Sequence, residues 1–270
     1  MKKLLFALYI FLFCSLIYPQ GLKLSGEFKP GSVVVGSAKN IKRVLLDNKR
    51  LQFDKSGKFI FGFDRDAKGT HILKVIYKNG ESETEKIKLP KRKYQIQRLR
   101  IAAKFVQPPK EELTRIKQEA KEMKSARDEI GKIDSALFSS GFVMPAKGEF
   151  TGVFGSQRIL NGVPKNIHNG IDISADEGDS VFAAADGIVR LAGEDFYYNG
   201  NFVLIDHGQG LTSIYLHMSK LDVKTGDYVL KGQKIGEAGS TGRSTSAHLH
   251  FGIQWYKKRI DPMSLFEIKF

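Results

Sequence analysis

The run HLHFGI at 248–253 alternates polar or small residues (His248, His250, Gly252) with apolar ones (Leu249, Phe251, Ile253). Side chains on a strand point to opposite faces in turn, so this pattern predicts a strand that projects both imidazoles from one face and packs the other on a core. A helix would scatter the same residues around its axis. Segments at 203–205, 212–218 and 234–238 are also strand-like, and glycine-containing turns separate them. Beyond Gly141 the chain therefore reads as a mainly β domain, spanning 141–270.

A chain of 270 residues is long enough for two modest cores. Strand-sized runs at 32–35, 44–46, 58–63 and 71–77, with Asn79-Gly80 as a hairpin turn, predict a β-sandwich of roughly seven strands over 21–93. Pro108 and Pro109 then open a helical pattern: Leu113, Ile116, Ala120, Met123, Ile130, Ile133 and Leu137 follow at mostly three- and four-residue steps, with Glu111 and Glu112 in the first turn. The expectation is one amphipathic helix within 94–140, packed on a neighbouring domain and joining the two folded parts. The fold class is thus mainly β, with a connecting helix.

The N-terminus bears on the compartment. Lys2 and Lys3 precede an almost wholly apolar run at 4–17, shorter than the ~20 residues that span a bilayer, so residues 1–20 read as a secretory signal in preference to a permanent anchor. The only cysteine, Cys14, lies inside that run, so disulfides and cysteine-ligated metals are excluded from the exported chain. Any metal must be held by histidine and carboxylate. The formal charge of +14 is also unevenly placed: residues 147–270 hold 13 Lys+Arg against 14 Asp+Glu, leaving 30 against 15 before them. Its densest block is Lys86, Lys88, Lys91, Arg92, Lys93, Arg98, Arg100 and Lys104, with no acidic residue among them.

Four of the six histidines fall in three short segments of the last domain: IHNGID with His168, YLHMS with His217, and HLHFG with His248 and His250. His168 and Asp172 are four apart, which places both on one face of a strand or a helix; Gly170, Ile171 and Ile173 favour the strand. In 213–218 the alternation sets Ser213, Tyr215 and His217 against Ile214, Leu216 and Met218, so the expected polar face carries His217 to the same groove. His71 and His207 lie outside these segments and read as structural. Catalytic zinc takes three nitrogen or oxygen ligands and leaves a position for water, and a set of two histidines and one aspartate meets that need better than it suits calcium or magnesium.

HNGID, YLHMS and HLHFG, in that order, together with GVFGSQR at 152–158, DGIV at 186–189, GQKIG at 232–236 and the GSTGRST segment before HLHFG, resemble the M23 family of zinc metallopeptidases, also called the lysostaphin or LytM type. The resemblance covers about residues 141–270. It implies an antiparallel-sheet peptidase domain crossed by a groove, one Zn2+ held by His168, Asp172 and His250, and His217 with His248 as the catalytic pair. It also implies peptidoglycan cross-links or stem peptides as substrate.

On that reading the chain is an exported zinc endopeptidase of the periplasm or cell envelope, in which one of His217 and His248 takes a proton from water and the other stabilises the oxyanion. The non-enzymatic alternatives are a LytM-type activator of a cell-wall amidase and a wall-binding module. The basic block at 86–104 is a candidate contact for an anionic envelope polymer or a membrane surface, and nucleic acid is disfavoured for an exported chain. Nucleotide binding is rejected, because GSTGRST lacks the lysine and hydroxyl pair that a phosphate loop carries after its last glycine.

Overall fold

The computed structural model describes residues 21–100 and 108–270. The signal-like segment at 1–20, with Cys14, and Lys104 of the basic block lie outside the described residues. The N-terminal half contains seven strands: β1 (Lys23–Ser25), β2 (Val33–Ser37), β3 (Ile41–Leu46), β4 (Lys49–Leu51), β5 (Lys58–Gly62), β6 (Thr70–Tyr77) and β7 (Ser82–Lys88). They form two antiparallel sheets, ordered β1-β2-β5 and β4-β3-β6-β7. Val33, Val34, Val44, Phe59, Phe61 and Val75 are fully buried in the core that both sheets contribute to. The Asn79-Gly80 turn joins β6 to β7, with Gly80 at φ +91°, a conformation that glycine adopts without steric cost.

The basic block is more structured than a solvated run. Lys86 and Lys88 are exposed on the edge strand β7, and β8 (Ile96–Leu99) crosses to the C-terminal half. There it pairs in parallel with β10 (Gln157–Leu160), which in turn pairs with β11 (Val163–Ile167). Arg92 is engaged internally: it donates to Pro30 O at 2.9 Å, pairs with Asp261, and sits 5.0 Å over the Tyr94 ring.

The helical pattern is realised only in part. A 3₁₀ turn leads into α1 (Leu113–Asp128), and the chain leaves the helix before Ile130, Ile133 and Leu137, so their spacing continues a helical period without a helix. The helix does not resume, for a local reason. Gly131 stands at φ +86°, and a Cβ there would come within 2.5 Å of the Tyr256 ring. No α1 residue is buried, although Met123 and Ala126 pack against Leu191, Phe196, Phe202 and Leu204. Glu119 also accepts from Tyr197 N at 3.0 Å, which ties the helix to the hairpin beneath it.

The C-terminal half is built on an eight-stranded antiparallel sheet. Its remaining strands are β9 (Phe150–Gly152), β12 (Gly170–Ser174), β13 (Ser180–Phe182), β14 (Gly187–Phe196), β15 (Gly200–Asp206), β16 (Leu211–Met218), β17 (Lys220–Leu221), β18 (Tyr228–Val229), β19 (Lys234–Glu237), β20 (His248–Trp255) and β21 (Lys258–Ile260). The main sheet runs β18-β14-β15-β16-β20-β12-β9, with β21 added to β20, and a small sheet β13-β19-β17 lies beside it. One apolar cluster, from Leu22 to Ile268, is continuous through both halves. Where they meet, a Cβ on Gly62 would lie 2.8 Å from Ile260 and 3.4 Å from Trp255, and the Lys258 ammonium donates to Gly62 O at 2.9 Å.

His207, expected to be structural, is fully buried at the end of β15. Its Nδ1–H donates to Asp186 O at 2.8 Å, and its Nε2 accepts from Ser213 Oγ at 2.7 Å; that hydroxyl is 2.9 Å from Tyr215 OH. Burial pushes the imidazole below its usual range, mainly by desolvation. The unfolded chain therefore binds a proton below about pH 6.5 while the folded chain does not, and stability falls with acid by up to about 1.4 kcal/mol per pH unit. Urea midpoints of the metal-free protein should drop between pH 7 and 5, and by less in His207→Asn. An equal drop in that variant would remove His207 from the account. His71 is also structural, with Nδ1 2.6 Å from Asp47 Oδ2 on the N-terminal half.

Candidate metal centre and catalytic pair

Strands β12 and β20 are antiparallel neighbours in a register that sets Asp172 directly opposite His250. Residues opposite one another share a face, so the expected projection of the HLH strand brings its second imidazole onto the aspartate. Asp172 Oδ1 lies 2.8 Å from His250 Nδ1 and 2.9 Å from His168 Nε2, and the two nitrogens are 3.1 Å apart. His168 is not on a strand, contrary to the expectation: it sits in the turn between β11 and β12. That turn brings it over the aspartate four residues later, and its ring is held by Nδ1–H donating to Val153 O at 3.0 Å.

Two glycines make room for this convergence. A Cβ on Gly152 would lie 2.3 Å from Asp172 Oδ2, and one on Gly170 would lie 2.9 Å from His250 Nε2. Asp172 is buried, which opposes its ionisation, but hydrogen bonds and charge from His168 and His250 outweigh burial and hold the carboxyl well below the usual carboxylate range. With Nδ1–H of His168 committed to Val153 O, its Nε2 donates to Asp172 only in the protonated ring; in the neutral ring Nε2 carries a lone pair available to ligate a cation. Three electron-rich atoms pointed at one spot suit a cation, and two imidazoles with one carboxylate suit a transition metal of the zinc type. Among the described residues this is the only cluster of three or more such side chains placed to hold an ion.

His217 and His248 stand beside it, with ring centroids 4.9 Å apart; His217 is 6.4 Å from His250 by the same measure, and His248 Nε2 is 3.9 Å from Asp172 Oδ1. His248 reaches the site as the alternation of β20 predicts. His217 does not, because the face expected for β16 is inverted. Ser213 and Tyr215 point into the core, and Tyr215 pairs with Phe251, while Leu216 is the residue opposite His250.

What turns His217 to the site is a bulge. Between two pairings, Val203 with Tyr215 and Asn201 with Met218, β16 uses one more residue than β15, and His217 adopts φ +67°. Its N–H bonds to Asn199 O at 3.0 Å and its Nδ1–H to Thr241 O at 2.9 Å. Thr241 is itself pinned, donating from Oγ1 to Met218 O at 2.7 Å and accepting from Asn201 N at 2.9 Å. Desolvation by burial lowers the His217 pKa to about 4, so the ring is neutral at pH 7. His248 Nδ1–H donates to Ser246 O at 2.9 Å.

Val153, Thr241 and Ser246 were not singled out from the sequence. They contribute backbone carbonyls, which no side-chain pattern displays, although GVFG and GSTGRST mark the loops that carry them. Tyr198, beside Tyr197 on the β14–β15 turn, has the Arg243 guanidinium 4.6 Å over its ring, which fixes that turn against the loop bearing Thr241.

An antiparallel sheet thus carries this histidine and aspartate constellation. Residues 166–262 match the sequence profile of Peptidase family M23. It is similar to the peptidoglycan DD-endopeptidase ShyA of Vibrio cholerae, 43% identical over 98 residues that make up 36% of this chain and 23% of that protein. It is likewise similar to the DD-carboxypeptidase/endopeptidase Mpg of Neisseria meningitidis, 39% identical over 99 residues, 37% of this chain and 23% of that one. The chain thus spans 23% of the length of each of these curated relatives. Among solved structures, one from Pseudomonas aeruginosa described under peptidase M23 superimposes with a TM-score of 0.62 at 25% identity, over 89% of this chain and 96% of that one. That likeness extends over both halves of the molecule.

Proposed function

We propose that this chain is a zinc-dependent endopeptidase that hydrolyses peptide bonds in peptidoglycan cross-links or stem peptides, working outside the cytoplasm in the cell envelope. The observation that carries the reading is the convergence of His168, Asp172 and His250 within hydrogen-bonding distance of one another, with His217 and His248 beside them. The substrate class rests on the named activities of the relatives. Among the described residues, no helix is long and apolar enough to cross a membrane.

His168, Asp172 and His250 would hold the ion, which when bound supplies Lewis acidity to polarise a carbonyl and to acidify water. Everything else falls to the protein. His217 and His248 each spend Nδ1–H on a backbone carbonyl, so in the neutral ring Nε2 is an acceptor. Neither neutral ring can donate to an oxyanion. Whichever histidine takes the proton from water becomes, by that act, the donor that steadies the negative oxygen and later protonates the leaving amine. The two roles expected of separate histidines can thus be served by one ring in sequence, with its Nδ1 carbonyl partner stabilising the imidazolium.

The amidase-activator and wall-binding alternatives need a groove without a working site, and the five side chains described above argue against them. Purified protein incubated with peptidoglycan should release new free amino groups as cross-links open. Stimulation of a separate amidase with no intrinsic release would overturn the peptidase reading. Exposed Lys86, Lys88, Lys91 and Lys93 are proposed to contact anionic envelope surfaces. Such contacts weaken with salt, as the Debye length falls from ~10 Å at 0.1 M to ~3 Å at 1 M.

A further inference from the structure

Arg65 of the N-terminal half reaches the loop beside the metal centre. Arg65 lies on the turn after β5, and its guanidinium donates from Nε and Nη2 to Gly155 O at 3.0 and 2.6 Å. Its Nη1 meets Asp66 at 2.5 Å, and the group stacks 4.0 Å over the Tyr94 ring. Tyr94 OH donates back to Arg65 O at 2.7 Å, and the tyrosine ring meets Phe154 edge to face. The Arg65 side chain is only 11% exposed.

The carbonyl that Arg65 grips belongs to the loop that holds His168. Gly155 N donates to His168 O at 2.9 Å, His168 N donates to Ser156 O at 3.0 Å, and His168 Nδ1–H donates to Val153 O at 3.0 Å. Three residues earlier, Gly152 lies against Asp172 and His168. Gly155 has φ +78°, and a Cβ there would come within 2.3 Å of the Tyr94 ring, so loop and clamp meet backbone to side chain with no spare space. Within the C-terminal half the short strand β9 ends at Gly152, and residues 153–156 belong to no strand.

We propose that Arg65 is a positioning residue for the metal centre: by holding Gly155 O it fixes the loop whose Val153 carbonyl orients His168, so the N-terminal half completes the site. The proposal rests on the reading of His168, Asp172 and His250 as metal ligands. Groups that orient a ligand typically contribute 10- to 100-fold in metal affinity. Arg65 acts one bond further out, so a loss at the lower end of that range is expected. A pure covering role predicts the opposite, since loosening a cover leaves the ion's affinity unchanged or improves access to it.

The test uses the full chain, stripped of metal, titrated with Zn2+ against a competing chelator and with Co2+ followed by visible absorption. Wild type should take up one equivalent and His250→Ala none; a wild type that fails to bind overturns the metal reading itself, before any Arg65 variant is measured. Arg65→Ala should bind zinc about tenfold more weakly and show a shifted, weaker cobalt spectrum. Arg65→Lys, which keeps the charge and one donor to Gly155 O, should recover part of both, and it carries the test if the alanine variant does not fold. Lys258→Met removes a different contact between the halves, the ammonium on Gly62 O, and should lower the melting temperature while leaving zinc affinity and cobalt spectrum at wild type. Wild-type metal binding in both Arg65 variants would overturn the proposal. So would an equal loss in Lys258→Met, which would mean that general loosening of the molecule is the cause.

Discussion

Replacing His250 or Asp172 by alanine should abolish peptidase activity and zinc binding together. Each supplies one of three atoms that lie 2.8 to 3.1 Å apart, and two remaining ligands are a poor site for an ion that takes three from protein. The loss should appear in stability as well as turnover. Zinc at about 100 times its dissociation constant stabilises the wild-type fold by about 2.7 kcal/mol, so the wild-type melting temperature rises with zinc while those of His250→Ala and Asp172→Ala do not. Asp172→Asn separates charge from shape, since it keeps the volume between Gly152 and the imidazoles but removes the anion, and should bind zinc weakly. A chelator should silence the wild type, and added zinc restore it. Cleavage that persists in His250→Ala or survives the chelator would overturn the metallopeptidase reading.

Replacing His217 or His248 by alanine should leave zinc bound and lower turnover by roughly 10²- to 10⁴-fold, the range expected when a general acid-base group is removed. The separation follows from position: the ring of His217 is 6.4 Å from that of His250, and His248 Nε2 is 3.9 Å from Asp172 Oδ1. His217 carries a second signature. Its φ of +67° costs a non-glycine residue about 1–2 kcal/mol, so His217→Gly should be more stable than His217→Ala by about 1 kcal/mol although both are equally inactive. Loss of zinc from either alanine variant in proportion to activity would remove the acid-base assignment.

Tyr94, Phe154 and Gly155 were present in the sequence without any sign that they touch. The same holds for α1, whose pattern overran its end: the spacing of Ile130, Ile133 and Leu137 kept the helical period after the helix had stopped at Asp128. Four of the seven strands of the N-terminal half, β2, β3, β5 and β6, were legible as apolar runs rich in β-branched or aromatic residues, whereas the short β1 and β4 and the charged β7 offer no such run. Their docking onto the C-terminal half was not legible, because contacts such as Arg92 with Asp261 join residues far apart in the chain.

The alternation of HLHFGI alone determined that His248 and His250 share a face, because strand geometry has a period of two and needs no knowledge of neighbours. A single cysteine in the whole chain left histidine and carboxylate as the main donors that a metal here could take. Only the tertiary structure decided how His217 arrives: the extra residue in β16 reverses the face that its own alternation predicts, and a bulge exists only relative to a partner strand. The tertiary structure likewise decided which carbonyls orient the imidazoles and that Arg65 of the other half holds the loop carrying one of them. Backbone acceptors and long-range clamps leave no local pattern, since every residue has a carbonyl and only the fold selects which of them faces a ring.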